Sequence, residues 1–295
     1  MPAYHPDDGF DGRLSALAAQ VDRVIVVDDG TGADPGGVFE RVAGSGATVR
    51  RLERNSGIAT ALNTGVREAL ADGATHVVNL DQDTVLPSGY VATALNVFER
   101  ANRVTNIGIV CVDAVNGSPA LPTWVSPEGF GLVPEAIQTG FVISRACLET
   151  AGLFEERLVI DCVDTEYCLR VRDHGFRIAV AKGTDVRHAL GRRAELRPFG
   201  IPRRHPNGEI ATYQYHSPFR RYYIARNNVD LLFRNLRTRP RWVLFVIRRE
   251  TPGMITSIVS GPRRVAQLLA ITVGTFHGLI RRRGMIPGGL RRLVT

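Results

Sequence analysis

Two aspartates, Asp81 and Asp83, are the residues whose type and spacing most directly suggest chemistry. They follow residues 76–80, four of which favour strand, and this stretch predicts a buried strand. In open α/β sheets the carboxyl ends of the strands face the crevice that binds ligands, so both carboxylates are expected there. Paired carboxylates suit Mg²⁺ or Mn²⁺, ions that also share the phosphate oxygens of a substrate. Because Asp-x-Asp also occurs as a plain polar turn, the pair alone is a weak predictor of a metal site.

Asp164, Glu166 and His188 are further candidates, because each lies at the start or end of a predicted element. Taken singly, a carboxylate at the start of a helix is commonly an N-cap, and a histidine after a strand is commonly structural. Together with Asp81 and Asp83, these three residues could catalyse a displacement reaction. Two carboxylates and an imidazole can hold a divalent ion on a diphosphate, while a separate carboxylate accepts the proton of a nucleophile.

The first 113 residues alternate predicted strands with predicted helices. The strands are residues 24–27, 48–52, 76–80 and 107–113, and the helices are residues 14–20, 38–43, 58–71 and 90–101. This alternation predicts an α/β fold with a mostly parallel sheet covered by helices on both faces. Asn55, Ser56 and Gly57 directly precede the helix at 58–71, so its free N–H groups are expected to point into the crevice.

The opening strand of this sheet is short. A full apolar strand should precede the helix at 14–20, but only Pro2, Ala3 and Tyr4 provide one. Either the first strand is very short or the recorded start codon lies downstream of the true one, and we favour the second interpretation.

The second half of the chain changes from mixed elements to helices. Strands at 138–144 and 176–181, helices at 145–151 and 167–174, and a segment at 185–191 that carries His188 come first. A polar loop at 192–218 follows, and helices are predicted at 220–234, 242–249 and 254–280. We expect an α/β domain at residues 1–218, with a first half at 1–110 and a second half at 111–218, followed by a helical region at 219–295.

Charge is divided unevenly along the chain. The net charge is +8, but residues 192–295 contain 21 arginines and four acidic residues, so this part carries +17 and the first 191 residues carry −9. A strongly basic C-terminal part suggests an anionic, extended partner, either nucleic acid or a membrane surface. No RNP, KH or helix-turn-helix pattern accompanies the charge, which argues against nucleic acid as the partner.

The basic part also contains an amphipathic pattern. Val265, Leu268, Leu269, Thr272 and Val273 recur at helical spacing, with Arg263, Arg264 and Arg281–Arg283 flanking them. Such a helix can lie in a membrane interface, or its stripe can pack on the catalytic domain or on a second subunit, so a homo-oligomer is a further expectation. The apolar run at 265–280 is shorter than the roughly 20 residues that cross a bilayer, so no integral membrane segment is predicted.

The cysteines and the N-terminus indicate the compartment. The four cysteines, Cys111, Cys147, Cys162 and Cys168, have neither the CxxC pattern nor zinc-ligand spacing. They are expected to be reduced and mostly buried, as in a cytosolic protein. The N-terminus lacks the basic start and the apolar run of a signal peptide. The predicted localisation is therefore cytoplasmic, with the basic region contacting the inner face of the cell membrane.

An ordered series of motifs covers roughly residues 2–230. It consists of Val26–Thr31, Asn55–Ala59 with Asn63 and Gly65, Leu80–Thr84, Gly140–Ser144, Asp161–Arg170, His188–Gly191, and Tyr223 with Ala225–Asn228. This series resembles the inverting family 2 glycosyltransferases of GT-A fold, and the Asp-Gln-Asp form resembles their rhamnosyltransferase branch. Two features depart from the family pattern: the short first strand, and Tyr167 at a position where the family often has Trp.

The resemblance implies a role for each matching residue. Asp81, Asp83 and His188 would hold Mg²⁺ or Mn²⁺ on the donor diphosphate, and Asp164 would be the general base that deprotonates the acceptor hydroxyl. Glu166 and Asp161 would orient the acceptor or support Asp164. The nucleotide-sugar site would be formed by Ala3, Tyr4, Asp29, Arg54, Asn55, Gly57, Asn63, Asp81 and Gln82. Within it, Asp29 would accept a hydrogen bond from N3–H of thymine or uracil.

We therefore expect a metal-dependent inverting glycosyltransferase that moves L-rhamnose from dTDP-β-L-rhamnose to a hydroxyl of a cell-surface polysaccharide or lipid-linked glycan precursor. A single in-line displacement would give an α-L-rhamnoside. Three alternatives remain: a UDP-galactofuranosyl or other UDP-hexose transferase of the same fold, a basic nucleic-acid-binding protein, and a non-catalytic member of the family. Residues 112–135 and the C-terminal region would select the acceptor.

Overall fold

The computed structural model describes residues 1–34, 36–101, 104–189 and 191–295. Within it the chain forms two compact units, Met1–Glu156 with Val163–Ala189 and Arg157–Cys162 with Leu190–Thr295, called here the first and the second unit. The domain limits expected at residues 110 and 218 stay a prediction. Leu190, which belongs to the motif at 188–191, lies outside the described residues.

The first unit opens with a small parallel sheet. Its strands are β1 (Pro2–Ala3), β2 (Ile25–Asp28) and β3 (Thr48–Arg51), and the helices around them are α1 (Phe10–Ala18), α2 (Val38–Gly44) and α3 (Ile58–Ala71). The predicted alternation of strands and helices is confirmed here. Helix α3 has the predicted bounds, because its apolar positions recur at helical spacing between two glycines, Gly57 and Gly73, that both have positive φ.

A larger sheet completes the first unit. Its main strands are ordered β4–β10–β6–β11–β9–β8, with β5 beside β11 and β7 beside β6. Their bounds are β4 (His76–Asn79), β5 (Thr84–Val85), β6 (Ile107–Val115), β7 (Ser118–Pro119), β8 (Trp124–Val125), β9 (Gly131–Val133), β10 (Phe141–Ser144) and β11 (Arg177–His188). Helices α4 (Tyr90–Ala101), α5 (Arg145–Ala151) and α6 (Val163–Asp173) belong to the same unit. The predicted α/β class is confirmed.

The expected mostly parallel pairing does not extend through this larger sheet. β10 runs antiparallel to both β4 and β6, and among the described strand pairs of this sheet only β6 and β11 are parallel. The chain reaches β10 from the short strands β7–β9 without a crossover helix, and a parallel strand would need such a crossover.

The predicted strand at 176–181 and the first part of the segment at 185–191 belong to one strand, β11. An irregularity between Ala181 and Asp185, where Gly183 has a φ of +82°, accommodates the residues between them. The strand therefore continues as far as His188.

An apolar core holds the elements of the first unit in place. Side chains from α1, β2, α4, β6 and β10 meet in it, among them Phe10, Val26, Phe98, Val110 and Val142, each at most 2% exposed. Full burial of one such side chain contributes about 2 kcal/mol. The strands that lead to the candidate site are therefore fixed by packing.

The second unit is mainly helical. It contains a short antiparallel pair, β12 (Arg193–Glu195) and β13 (Thr212–Gln214), within the predicted loop, and the helices α7 (Pro218–Asn235), α8 (Pro240–Ser260), α9 (Arg264–Leu279) and α10 (Gly288–Val294). The predicted helix break near residue 250 is wrong, because α8 continues through Pro252. The chain breaks instead at Gly261, which is extended, and at Pro262, which has no N–H for a continuing helix. Among the described residues, none of the helices combines the length and apolar character needed to cross a bilayer.

Helix α7 holds the segment 157–162 within the second unit. Asn227 Nδ2 lies 3.0, 2.9 and 2.8 Å from the carbonyl oxygens of Leu158, Ile160 and Asp161. The segment contains Val159 with a φ of +68°, a costly conformation for a β-branched residue. The motif at 225–228 therefore includes a residue that stabilises a strained turn.

Candidate active site

Asp81, Asp83 and His188 form a cluster in the first unit. Each offers one ligand atom, and these atoms lie within 4.8 Å of one another. His188 Nδ1 is 3.2 Å from Oδ1 of Asp83. All three residues are half-buried, so the cluster is shielded from solvent but can still be reached. The structure thus brings together the three residues predicted as metal ligands.

Strand pairing explains how residues so distant in sequence meet. β5 begins at Thr84, directly after Asp83, and pairs antiparallel with the end of β11, where His188 lies opposite Thr84. Asn116 secures that end of β11: its side chain accepts from the His188 N–H at 3.1 Å and donates to the His188 carbonyl oxygen at 2.7 Å. The pairing therefore fixes the imidazole beside Asp83.

Hydrogen bonds from residues 138 and 139 support the cluster. Gln138 Nε2 donates to Oδ1 of Asp81, and the Asp81 N–H donates to Oγ1 of Thr139 at 3.1 Å. Thr139 Oγ1 lies 2.8 Å from Thr84 Oγ1, which lies 2.8 Å from Nδ1 of His188. Both an aspartate and the imidazole are therefore oriented by one connected network.

Sequence reasoning missed these supporting residues. The sequence predicts Gln138 only as part of a strand and predicts no individual function for Thr84, Thr139 or Asn116. The one local signal was position: Thr84 adjoins Asp83, and Thr139 adjoins the Gly140–Ser144 motif. Nothing in the sequence, however, indicates that the two threonines meet.

Burial and neighbouring charges shift the pKa values of Asp81 and His188. Burial raises the pKa of Asp81 to about 6; the His188 imidazole opposes this shift, and the Asp83 carboxylate adds to it. A hydrogen bond with Asp83 raises the pKa of His188. Two carboxylates so close together repel when both are charged, and a divalent cation relieves that repulsion. Carboxylate and imidazole donors together fit Mn²⁺ or Mg²⁺.

Asp29 joins the end of β2 to the start of α3. Its side chain is 5% exposed, with Oδ1 accepting the Ser56 N–H at 2.6 Å and Oδ2 accepting the Gly57 N–H at 2.9 Å. Burial raises the pKa of Asp29, and the two N–H donors oppose that shift. Both Asp29 carboxylate oxygens already accept a backbone N–H. The N3–H of a nucleobase would therefore have to donate to a second lone pair on one of these oxygens. That contact stays a prediction.

Gly30 brings the segment before α3 against the end of β2. It has a φ of +76°, and a Cβ at this position would lie 2.2 Å from the carbonyl carbon of Arg54 and 2.4 Å from the nitrogen of Asn55. Only glycine permits this approach. Arg54, Asn55 and Gly57 therefore lie beside Asp29, and their contact with a nucleotide stays a prediction.

Gln82 connects the aspartate pair to the N-terminal segment. Its Oε1 accepts the Tyr4 N–H at 2.7 Å, and its Nε2 donates to the Tyr4 carbonyl oxygen at 3.2 Å. Next to it, the Ala3 carbonyl oxygen accepts the Asp29 N–H at 2.8 Å. Tyr4 is 41% exposed, so its ring can stack on a planar base. Tyr4, which is predicted to contact the base, is therefore hydrogen-bonded to Gln82, the residue between Asp81 and Asp83.

Comparison with known proteins agrees with this geometry. Residues 1–147, which include Asp29, the segment before α3 and the aspartate pair, match the model of the family described as glycosyl transferase family 2. The chain belongs to glycosyl transferase family 2.

This family 2 chain has a relative in Shigella flexneri named dTDP-rhamnosyl transferase RfbF. The two are 29% identical over 197 residues, and the match covers 62% of this chain and 62% of that protein. Among solved structures, the mannosyltransferase PcManGT from Pyrobaculum calidifontis, in complex with GDP-Man and Mn²⁺, has a TM-score of 0.54 at 16% identity and covers 95% of this chain and 86% of that one. S. aureus TarS 1–349 in complex with UDP has a TM-score of 0.51 at 14% identity, with coverage of 95% and 70%. Both structures show that the family 2 chain shares their fold.

Asp164 lies in the first turn of α6 of the family 2 chain. It is half-buried, and its Oδ1 accepts the Thr165 N–H at 2.8 Å. A carboxylate in the first turn of a helix lies near the positive end of the helix dipole, which stabilises the helix. Its role as general base stays a prediction.

Glu166 and Arg170 form an ion pair one turn apart in α6. Glu166 is 3% exposed, and its carboxylate accepts from Nε and Nη2 of Arg170 at 3.0 and 2.9 Å. Arg170 also donates to the carbonyl oxygen of Leu153 at 2.7 Å, which ties α6 to the segment after α5. Glu166 therefore has a scaffold contact, and its predicted role in orienting the acceptor stays a prediction.

Asn63 and Asp161 also have contacts within the protein. Asn63 is 1% exposed; its Nδ2 donates to the Phe154 carbonyl oxygen and to Glu156, at 2.9 and 2.8 Å. Both amide hydrogens are used, so only Oδ1 could serve a nucleotide, and it already accepts the Phe154 N–H. In the second unit, the Asp161 carboxylate pairs with Arg220 at 2.5 Å. The ligand roles assigned to Asn63 and Asp161 stay predictions.

Proposed function

We propose that this family 2 chain is a metal-dependent inverting glycosyltransferase with a nucleoside diphosphate sugar as donor. The observation that carries the proposal is the cluster of Asp81, Asp83 and His188, linked through Gln82 to the exposed Tyr4. A divalent-ion site next to an aromatic ring suits a ligand whose diphosphate lies close to a planar base.

Each step of the proposed reaction has a residue to perform it. Asp81, Asp83 and His188 would hold the divalent ion, which would offset the negative charge of the diphosphate leaving group. Tyr4 and Asp29 bind the base. Asp164 accepts the proton of the acceptor hydroxyl while that oxygen attacks the anomeric carbon from the side opposite the diphosphate. One displacement inverts the configuration without a covalent intermediate.

The donor that we favour is dTDP-β-L-rhamnose, and the acceptor is a hydroxyl of a cell-surface polysaccharide or lipid-linked glycan precursor. The name of the Shigella flexneri relative supports the donor, as does the Asp-Gln-Asp form of the aspartate pair. A UDP-hexose is the second candidate, because TarS, which shares the fold, is in complex with UDP. A panel of nucleotide sugars separates the two: we expect dTDP-rhamnose to raise the unfolding temperature, and stabilisation by UDP-sugars alone would reverse the assignment.

The base assignment is tested with Asp164→Asn. Release of dTDP from dTDP-rhamnose in the presence of Mn²⁺ is expected to slow by roughly 10²- to 10⁴-fold, because the variant cannot accept a proton. Mn²⁺ and nucleotide affinity should remain, since the amide replaces the carboxylate without loss of volume. Asp173→Asn, at the exposed far end of the same helix, is the matched control. Native turnover in Asp164→Asn would show that another group is the base.

We also propose that the second unit contacts an anionic membrane on its cytoplasmic face. The predicted stripe is divided in the structure: Leu269 and Val273 pack inward, whereas Val265 and Leu268 are 82 and 51% exposed. Phe276, which is outside the predicted stripe, is also 56% exposed. Arginines flank these exposed side chains, and each arginine near anionic lipid contributes about 1 kcal/mol. Nucleic acid, the other anionic partner considered, has no recognition motif in this chain.

A further inference from the structure

An open groove lies in the second unit at the start of α9. Its volume is about 630 Å³, and its lining comes from the first turns of α9, from the residues just before that helix, and from Leu293 in α10. This volume falls within the range of about 300–1,000 Å³ that is usual for small-ligand sites. All the lining residues belong to the second unit, and none of them belongs to the candidate active site.

The walls of the groove are apolar. Val265, Ala266 and Leu269 contribute to them from α9, and Leu293 contributes from α10. Val265 and Leu293 are 82 and 61% exposed, whereas Leu269 is half-buried and packs against the core of the unit. Covering apolar surface that is open to water is favourable. The walls therefore suit a hydrocarbon chain.

Two arginines complete the lining, and no acidic residue is part of it. Arg263 donates to the carbonyl oxygens of Leu293 and Thr295 at 3.2 and 2.6 Å, so it holds the end of α10 against the start of α9. Among the described residues, Arg264 has only a neutral acceptor, the Arg197 carbonyl oxygen at 3.3 Å. A cation without a carboxylate partner beside an apolar wall suits an anionic group attached to a hydrocarbon chain.

The surroundings of the groove decide which occupant of this chemistry fits. Apolar surface continues beyond the groove to Leu268, which is 51% exposed on the same helix. Residues 192–295 carry a net charge of +17. The same face of a second copy of this chain would bring like charge to the contact, whereas an anionic lipid brings the opposite charge.

We propose that the groove binds one anionic phospholipid, with its phosphate on Arg264 and the first part of an acyl chain against the apolar walls. The inference rests on the proposed membrane contact and deepens it, because it adds a site for a single lipid molecule to a general attraction between a basic surface and a membrane. It does not depend on the proposed sugar transfer.

Dihexanoylphosphatidylglycerol, used below its critical micelle concentration, tests the groove without a membrane. Isothermal titration calorimetry with the full chain should show binding to one site. Ala266→Trp fills the groove, so the affinity should fall by roughly 10- to 100-fold. Thr272→Trp, at an exposed position of α9 outside the groove, is the matched control and should bind as the native chain does. Equal affinities of the native chain and Ala266→Trp would overturn the proposal.

A second pair of variants keeps the test valid if the added tryptophan disturbs the packing of α9. Val265 is largely exposed, so Val265→Asp is expected to fold as the native chain does. Its carboxylate would repel the phosphate and would lose water on contact with the acyl chain, so binding should be abolished. Thr272→Asp adds the same charge outside the groove and should retain binding. Native affinity in Val265→Asp would also overturn the proposal.

The charge of the head group is tested with dihexanoylphosphatidylcholine, whose head group has no net charge. The native chain should bind the phosphatidylglycerol roughly 10-fold more tightly, because only this lipid retains a net negative charge for Arg264. Arg264→Gln should remove the preference, and Arg237→Gln, at an exposed position of the same unit, should retain it. Equal affinity of the native chain for the two lipids would overturn the assignment of an anionic head group.

Sedimentation with phosphatidylglycerol vesicles separates this proposal from the membrane contact itself. Ala266→Trp should still bind vesicles, whereas Leu268→Glu should lose vesicle binding and retain the soluble lipid. Vesicle binding by a native chain that does not bind the soluble lipid would overturn the groove and leave the membrane contact standing. Absence of both would overturn both. Dimers of the native chain that Ala266→Trp abolishes would assign the groove to a second copy and overturn the lipid proposal.

Discussion

At the scale of single residues, Asp81 determines how the candidate site responds to its surroundings. It is flanked by a second carboxylate and an imidazole, and burial raises its pKa to about 6. Its orientation is set by Gln138, whose Nε2 donates to one carboxylate oxygen. Gln138 Oε1 is buried and has no partner in the described residues, so it also offers a free acceptor beside the cluster. If the cluster binds a metal ion as proposed, its affinity should therefore depend on Gln138 as well as on Asp81, Asp83 and His188.

Replacing Gln138 with leucine is expected to weaken Mn²⁺ binding roughly 10- to 100-fold, because an outer hydrogen bond that orients a ligand is lost. Titration with Mn²⁺, followed by electron paramagnetic resonance of the free ion, measures this without any substrate. Gln214→Leu, at an exposed position in β13, is the matched control and should bind as the native chain does. Native Mn²⁺ affinity in Gln138→Leu would mean that Asp81 needs no support from residue 138.

Mn²⁺ affinity is also expected to rise with pH. The metal binds deprotonated ligands, so protons compete with it below the pKa of each group. Asp81, with a pKa of about 6, is largely protonated at pH 5 and charged at pH 7. His188, whose pKa is raised above 6.5, loses its proton later. Affinity measured between pH 5 and 8 should therefore increase through pH 6 and level off only above pH 6.5; a flat profile would contradict these shifts.

At the scale of elements, the site is assembled by two close approaches. The pairing of β5 with β11 carries His188 to Asp83. The turn after β2 lies against the segment before α3, with Gly30 at the contact and Asp29 bonded to both N–H groups that follow. A shift in the register of β5 and β11 would separate His188 from Asp83. A side chain at residue 30 would clash with the backbone of Arg54 and Asn55.

Gly30→Ala is expected to destabilise the first unit far more than Gly32→Ala. Both glycines have positive φ, +76° and +80°, so each substitution introduces a backbone strain of about 1–2 kcal/mol. Only Gly30→Ala places a Cβ against backbone atoms, at 2.2 Å, whereas a Cβ at Gly32 meets nothing within 4 Å. Overpacking adds about 1–3 kcal/mol, so Gly30→Ala should show the larger fall in unfolding temperature. Equal falls for the two variants would show that the two segments do not touch.

At the scale of the whole molecule, charge and apolar exposure are concentrated in the basic C-terminal part of the chain. Residues 192–295 carry a net charge of +17, and the exposed face of α9 includes Val265, Leu268 and Phe276. The first 191 residues carry −9 and contain the candidate active site. Residues 192–295 can therefore bind an anionic surface through side chains that are not part of the candidate active site.

Vesicles that contain phosphatidylglycerol are therefore expected to bind the protein, with affinity that falls as salt rises. Leu268→Glu should weaken binding, because it places a negative charge on the face that would enter the interface. Leu121→Glu makes the same change at a residue of the first unit that is 79% exposed, and it should leave vesicle binding unchanged. Equal binding by both variants in a sedimentation assay would remove α9 from the contact, and duplex DNA binding at physiological salt would favour the nucleic-acid alternative.

The sequence by itself determined the α/β class, the bounds of α3, α4 and α5, and which three residues, Asp81, Asp83 and His188, form the cluster. These depend on apolar periodicity within one segment and on the order of motifs, both of which are local properties. The tertiary structure alone decided the direction of β10, the engagement of Asn63 and Glu166 in scaffold contacts, and the role of Gln138. Gln138 meets Asp81 across 57 residues, and Thr84 meets His188 across 104. Such contacts follow from strand register and from competition among polar groups for partners, and only the packed chain defines either.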